Sequence, residues 1–248
     1  MNEAFWSHWA WPLATAVIAS IFTTLVARQY AQRRRWHQLF WSIGLALYAI
    51  AAYLEAFSEF ANRWDPLIYR FYIVFAASLV AFLGLGTVYL MVSRTTYRRA
   101  ALIYVLLASD IFLAGTLTAD LDLQKLIPGI TVGGKALGPS MSFPRVCSLF
   151  LNIPGTLALL GGAVLSVIRF GRRHEWAYRM WANVLIAIGT LIIAWAGSRA
   201  RLGHTAGLYP AEMLGSAFLL AGFLTAGTLE KGARRIRVKR VEPTTFDG

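Results

Sequence analysis

Seven long apolar runs dominate this chain, and the segments between them alternate between Arg-rich and Arg-poor. The runs cover residues 9–27, 36–57, 69–92, 101–118, 147–168, 180–198 and 208–229. Each is about 18–24 residues long, enough to cross a hydrocarbon core of about 30 Å as a helix. Lipid offers no partner to an unpaired backbone group, so runs of this kind are expected to be helical. Composition points the same way. With 57% apolar residues, 15% charged residues and a mean hydropathy of +0.54, the chain is not a soluble globular domain. The first run is too long for the apolar stretch of a cleaved leader, and its Arg cluster follows it rather than precedes it. The expected fold is therefore an all-α integral membrane protein: one seven-helix domain over 1–230, then a basic cytoplasmic tail over 231–248.

Basic residues set the expected orientation. The segments after runs 1, 3 and 5, together with the tail, hold 17 of the 24 Lys and Arg. The other side holds Arg63, Arg70, Lys125, Lys135, Arg145, Arg199 and Arg201. The positive-inside rule places the N-terminus outside and the C-terminus in the cytoplasm. Trp6, Trp9, Trp11, Trp36, Trp41 and Trp176 fall near the expected interfaces, as an aromatic belt does. The net charge of +12 thus needs no nucleic acid, because the excess lies beside the anionic inner leaflet. Arg234, Arg235, Arg237, Lys239 and Arg240 in the tail are candidate contacts to anionic lipid, or simply an orientation signal.

The segment 119–146, with Pro128, Pro139 and Pro144, is the one long connection. Within it, 130–137 has the pattern of a small β-hairpin around Gly133-Gly134, placed to cap an outward cavity or merely to cover the bundle. Runs 1–3 and 5–7 share directions, which admits two three-helix repeats joined by helix 4. Leu85-Gly86-Thr87 and Ala226-Gly227-Thr228 fit that scheme; a single seven-helix bundle with receptor-like topology is the rival.

Several chemistries are disfavoured. His8, His37, His174 and His204 all fall at run ends or in connections, so no converging zinc or haem ligand set is expected inside the bundle. None of Lys125, Lys135, Lys231 and Lys239 is in mid-run, so no retinal Schiff base is expected. Cys147 is the single cysteine, which excludes an intrachain disulfide. No nucleophile elbow and no phosphate-binding loop is present, so an enzyme is disfavoured and no cofactor is expected.

Ionisable groups inside spans are costly and mark function. Glu55 and Glu59 on helix 2, Asp110 on helix 4, Glu212 on helix 7, and Arg199 and Arg201 at the end of helix 6 all fall in the expected outer half. Glu55 and Glu59 share a face with Tyr48 and Ala52. Stripes of small and polar residues, among them Asn152, Gly155 and Gly162 on helix 5, Thr190 and Gly197 on helix 6, and Gly215 and Gly222 on helix 7, are either packing seams or a lining. Pro154-Gly155 is expected to loosen helix 5 near Asn152. One arrangement pairs Glu212 with Arg199 or Arg201 and the helix 2 acids with Arg70. The other is an open vestibule for a small ligand or cation, contacted by Glu55, Glu59, Asp110, Asn152, Arg199 and Glu212, with Asp110 as its deepest and cation-responsive member.

The stretches Tyr69-Arg70-Phe71-Tyr72, 83–91 (LGLGTVYLM), 152–162 (NIPGTLALLGG), 185–203 (LIAIGTLIIAWAGSRARLG) and 209–223 (YPAEMLGSAFLLAGF) resemble an uncharacterised group of seven-helix bacterial membrane proteins. The resemblance implies a bacterial plasma membrane and carries no activity. The functional expectation is a binding or transport protein, against a sensor or scaffold with a cytoplasmic partner and an intramembrane enzyme. Oligomeric state is left open.

Overall fold

The computed structural model describes residues 3–129, 134–139, 141–171, 177–201, 204 and 207–239. Seven helices run α1 Glu3–Arg33, α2 Trp36–Phe60, α3 Pro66–Met91, α4 Thr95–Thr118, α5 Phe143–Gly171, α6 Ala177–Arg201 and α7 Leu208–Lys239. All seven are long and apolar enough to cross a membrane, and the chain is a multi-pass seven-helix membrane bundle. A 3-10 turn at Leu123–Lys125 lies in the α4–α5 connection, and no strand occurs among the described residues. Half of the expected hairpin, residues 130–133, lies outside the described residues; its other half, 134–136, is a turn.

Local chemistry explains the tight joints. The α2–α3 connection is stopped by Asn62, whose φ of 50° is left-handed, and restarted by Asp65. The Asp65 carboxylate accepts from Leu67 N at 2.8 Å and Ile68 N at 3.2 Å, and Pro66 takes the first helical position, where its missing N–H costs nothing. In the α4–α5 connection Asp122 caps the 3-10 turn through Gln124 N, and the Lys125 ammonium at 2.8 Å holds its carboxyl below the usual carboxylate range.

The helices α1, α2, α3, α5, α6 and α7 form a closed ring in that order, with α1 against α7. Helix α4 stands outside, touching only the backs of α3 and α5. The reason is a close crossing of α3 and α5. A Cβ on Gly84 would lie 2.7 Å from Gly155 Cα, and one on Gly155 would lie 2.5 Å from Val80 O. Only glycine lets the two backbones approach this far. Gly189 and Gly215 do the same for α6 and α7, a Cβ on Gly189 falling 2.6 Å from Gly215 O. The glycine stripes of α5 and α7 are thus packing seams, and α5 runs unbroken through Pro154.

Helices α2 and α7 do not pack backbone to backbone; long side chains cross the space between them. The end of the bundle carrying the α2–α3, α4–α5 and α6–α7 connections is called the lid end below.

Gly155→Ala is expected to lower stability by about 1–3 kcal/mol through overpacking against rigid backbone. Gly161→Ala, with nothing within 4 Å of a new Cβ, should leave it unchanged or raise it slightly. Melting curves of the two purified variants in one detergent check the contrast.

Candidate functional site

Three carboxylates meet at the lid end of the ring. Glu55 and Glu59 sit in the last two turns of α2, and Glu212 in the second turn of α7. Glu55 is 1% exposed and Glu59 5%. Glu212 is half-buried, and Glu55 lies within range of the charges of both other acids. Around them stand Tyr48 from α2, Tyr69 and Tyr72 from α3, and Tyr209 from α7, all buried. The helix repeat explains the grouping. Tyr48, Glu55 and Glu59 fall on one face of α2, Tyr69 and Tyr72 are three apart on α3, and Tyr209 and Glu212 are three apart on α7.

Hydrogen bonds divide the acids by role. Glu59 Oε1 accepts from Tyr209 Oη at 2.7 Å and from the backbone N–H of Gly129 at 2.7 Å. One carboxylate thus ties α7 and the α4–α5 connection to α2, an arrangement of charge-assisted bonds that stabilises the closed end. Glu55 Oε1 accepts from Tyr72 Oη at 2.9 Å, its one hydrogen bond among the described residues. Tyr48 Oη donates to the backbone oxygen of Glu212 at 3.2 Å, which leaves the Glu212 carboxyl with no hydrogen bond among the described residues. Trp64 packs edge-on to Tyr69 and tilted against Tyr72, with centroids 5.6 and 5.0 Å away, and its indole N–H has no partner among the described residues.

A lid covers this cluster. Ala136 and Leu137 are 0% and 2% exposed, and Ala136 N donates to Tyr69 Oη at 3.4 Å. The connection is pinned at several further points: Asp122 N to Ala136 O at 2.9 Å, Ser142 Oγ to Leu137 O at 2.6 Å, and Arg145 Nη1 to Gly138 O at 3.1 Å. The expected covering segment is real, although it is built as turns.

The two arginines expected to pair with the acids are bound elsewhere. Arg70 donates instead to the carbonyls of Thr116 and Ala119, closing the end of α4. Arg199 is half-buried and lies over the Trp195 ring, 4.9 Å from its centroid. The ion pairs expected for Arg70 and Arg199 therefore give way to carbonyl and aromatic partners. The side chain of Arg201 lies outside the described residues.

Two further expectations are corrected. Asp110 is exposed, on the side of α4 that faces away from the ring, because the α3–α5 crossing expels α4 from the lining. Asn152 is half-buried and donates from Nδ2 to Ser148 O at 2.8 Å, one turn back on its own helix. In the tail, Arg234, Arg235, Arg237 and Lys239 lie on the helical continuation of α7, and Arg240 lies outside the described residues. Sequence inspection missed the tyrosines as a group. The available signal was Tyr or Glu three residues apart near the start of both α3 and α7.

No protein-family model, no curated protein and no solved structure matches the chain.

Glu59→Ala leaves the half-buried backbone N–H of Gly129 and the buried Tyr209 hydroxyl without this acceptor, at about 1–3 kcal/mol for the buried group and less for the other. Glu212→Ala removes no hydrogen bond among the described residues and should cost less than 1 kcal/mol, on the order of a surface substitution. Thermal melting, with hydrogen exchange at residues 126–129 as the local readout, checks that only the first variant loosens the lid.

Proposed function

We propose that this chain is a multi-pass protein of the bacterial plasma membrane that binds, and in transport would carry, a small organic cation in the chamber between α2, α3 and α7. Glu55 and Glu212 serve as the anionic partners, and Tyr48, Tyr72, Tyr209 and Trp64 as the polarizable wall. One observation carries this reading: the Glu55 and Glu212 carboxyls lie among buried aromatic side chains, and Arg70 and Arg199 are bound elsewhere. Such charge is costly in a low-dielectric interior and calls for a cation. Aromatic rings favour an ammonium over a bare metal ion, because the ring faces add cation–π attraction.

With the orientation given by the basic residues, the lid end faces outward. The cation then enters from outside, and the α4–α5 connection must move for it to pass. Glu59 is the latch of that lid rather than a ligand.

A second reading has one observation in its favour. Helix α7 continues to Lys239, well past its apolar part, and carries a run of basic residues into the inner side. That extension suits a scaffold or sensor contacting an acidic cytoplasmic partner.

The deciding experiment is a thermal-shift titration of the full chain with alkylammonium compounds, polyamines, alkali ions and divalent ions. A ligand at about 100 times its Kd should stabilise the wild type by about 2.7 kcal/mol. Glu55→Gln and Glu212→Gln should lose that response while melting at or above the wild-type temperature, since each removes an uncompensated buried charge. No response to any amine would overturn the cation reading. A response confined to a cytoplasmic partner would establish the second.

A further inference from the structure

Helices α6 and α7 carry between them a groove that the chamber does not use. It measures about 440 Å³ and is lined by Leu191, Ile192 and Trp195 of α6 and by Pro210, Ala211 and Leu214 of α7. Every lining side chain is apolar. Leu191, Trp195 and Leu214 are exposed, so the groove is open to the membrane around the bundle.

Its rim is charged. All six lining residues lie on the lid-end side of the close contact between Gly189 and Gly215. From Leu191 to Arg199 is eight residues of α6, about 12 Å. Half of a hydrocarbon core is about 15 Å. Arg199, in the last turn of α6, therefore stands at headgroup depth when the lining lies against acyl chains. Its guanidinium lies over the Trp195 ring, 4.9 Å from the centroid, and that ring is itself a wall of the groove. Stacking on a ring face holds the guanidinium in place and leaves its in-plane N–H groups free to donate. No carboxylate takes them. Residues 180–211 contain two arginines, Arg199 and Arg201, and no Asp or Glu. Glu212, the next acid along the chain, acts on Glu55 in the chamber, and no ion pair joins it to Arg199 among the described residues.

We propose that an anionic phospholipid binds here, with one acyl chain in the α6–α7 groove and its phosphate on the Arg199 guanidinium. Groove and charge select the occupant together. An apolar groove alone suits any chain, and an arginine alone suits any anion. A phospholipid joins the two at the spacing that one leaflet imposes. The guanidinium fork matches phosphate oxygens with paired N–H donors. Phosphatidylglycerol is favoured over phosphatidylethanolamine, whose ammonium would meet arginine and no acid in this stretch. The site is separate from the chamber, so it stands whether or not the chamber takes a cation.

The test uses the full chain, stripped of lipid in detergent and titrated with phosphatidylglycerol, with bound lipid counted by native mass spectrometry. The wild type should take up one phosphatidylglycerol before any further lipid adds, and phosphatidylethanolamine should bind more weakly. Diacylglycerol with the same chains and inorganic phosphate each supply half of the ligand. Both should bind at least about tenfold more weakly, the size of one charge-assisted hydrogen bond. Arg199→Gln should weaken phosphatidylglycerol binding about tenfold on the same grounds. Ala211→Phe, which fills the groove, should weaken it about tenfold, the size of two buried methylenes. Both variants should keep the wild-type melting temperature without lipid, because Trp195 beside Arg199 is exposed and Ala211 borders open space. That readout separates lost binding from lost folding. Lipid gathered by the basic residues of 231–240 would ignore both substitutions, and that result would overturn the proposal. So would diacylglycerol binding as tightly as phosphatidylglycerol, or a stripped chain that dimerises and no longer takes up lipid, which would give the groove to a second copy.

Discussion

The close approach of α3 and α5 is the contact on which the rest of the architecture depends. Gly84 and Gly155 bring the two backbones nearly into touch, and any side chain at either position would drive them apart. With α3 and α5 in direct contact, the ring closes without α4, and α4 is left against their backs. Two consequences follow from this one crossing. The lining of the bundle comes from six helices, so the acids of α2 and α7 face each other across a space that α4 never enters. The stripe of α4 that bears Asp110 is turned away from that space. Membrane helices gain little from apolar burial against one another, since lipid is as apolar as their side chains. Close glycine contacts therefore carry a larger share of the packing than they would in a water-soluble bundle.

Within that frame the polar groups are few and their hydrogen bonds separate tasks. Glu59, Tyr69 and Arg145 hold the α4–α5 connection down, and Arg70 closes the end of α4. Every one of these is a bond to backbone, the kind of bond that fixes a loop where water is scarce. Glu55 and the Glu212 carboxyl are different. They are embedded as deeply as the structural groups, or nearly so, yet have fewer donors than a carboxylate accepts. The surplus acceptor capacity, within a wall of tyrosine side chains, sets them apart from the structural staples.

Much of this was legible in the sequence. Run length and lipid chemistry locate all seven helices, and the cost of membrane-embedded charge singles out Glu55, Glu59 and Glu212. What could not be read was which way each polar group turns. Arg70 follows Tyr69 directly, and a helix places neighbours about 100° apart, so the residue that flanks the tyrosine wall points to α4 instead. Asp110 was misplaced for a related reason. Its depth follows from counting along the helix, but its direction depends on whether α4 joins the ring, and that is decided by two glycines on other helices. The small-residue stripes of α5 and α7 were equally silent on direction, because they report seams rather than the side they enclose.

Charge then links the two faces of the molecule. A membrane protein with acids on an inner wall and another acid on an outer face must satisfy each by a different route. Inside the ring, Glu55 and Glu212 lie beneath a lid connection held by a small set of hydrogen bonds. On α4, Asp110 is exposed on the side of the helix turned away from the ring. The same residue type thus stands within a walled space in one place and on the outer surface in the other. The distinction rests on which side of the α3–α5 crossing each acid lies.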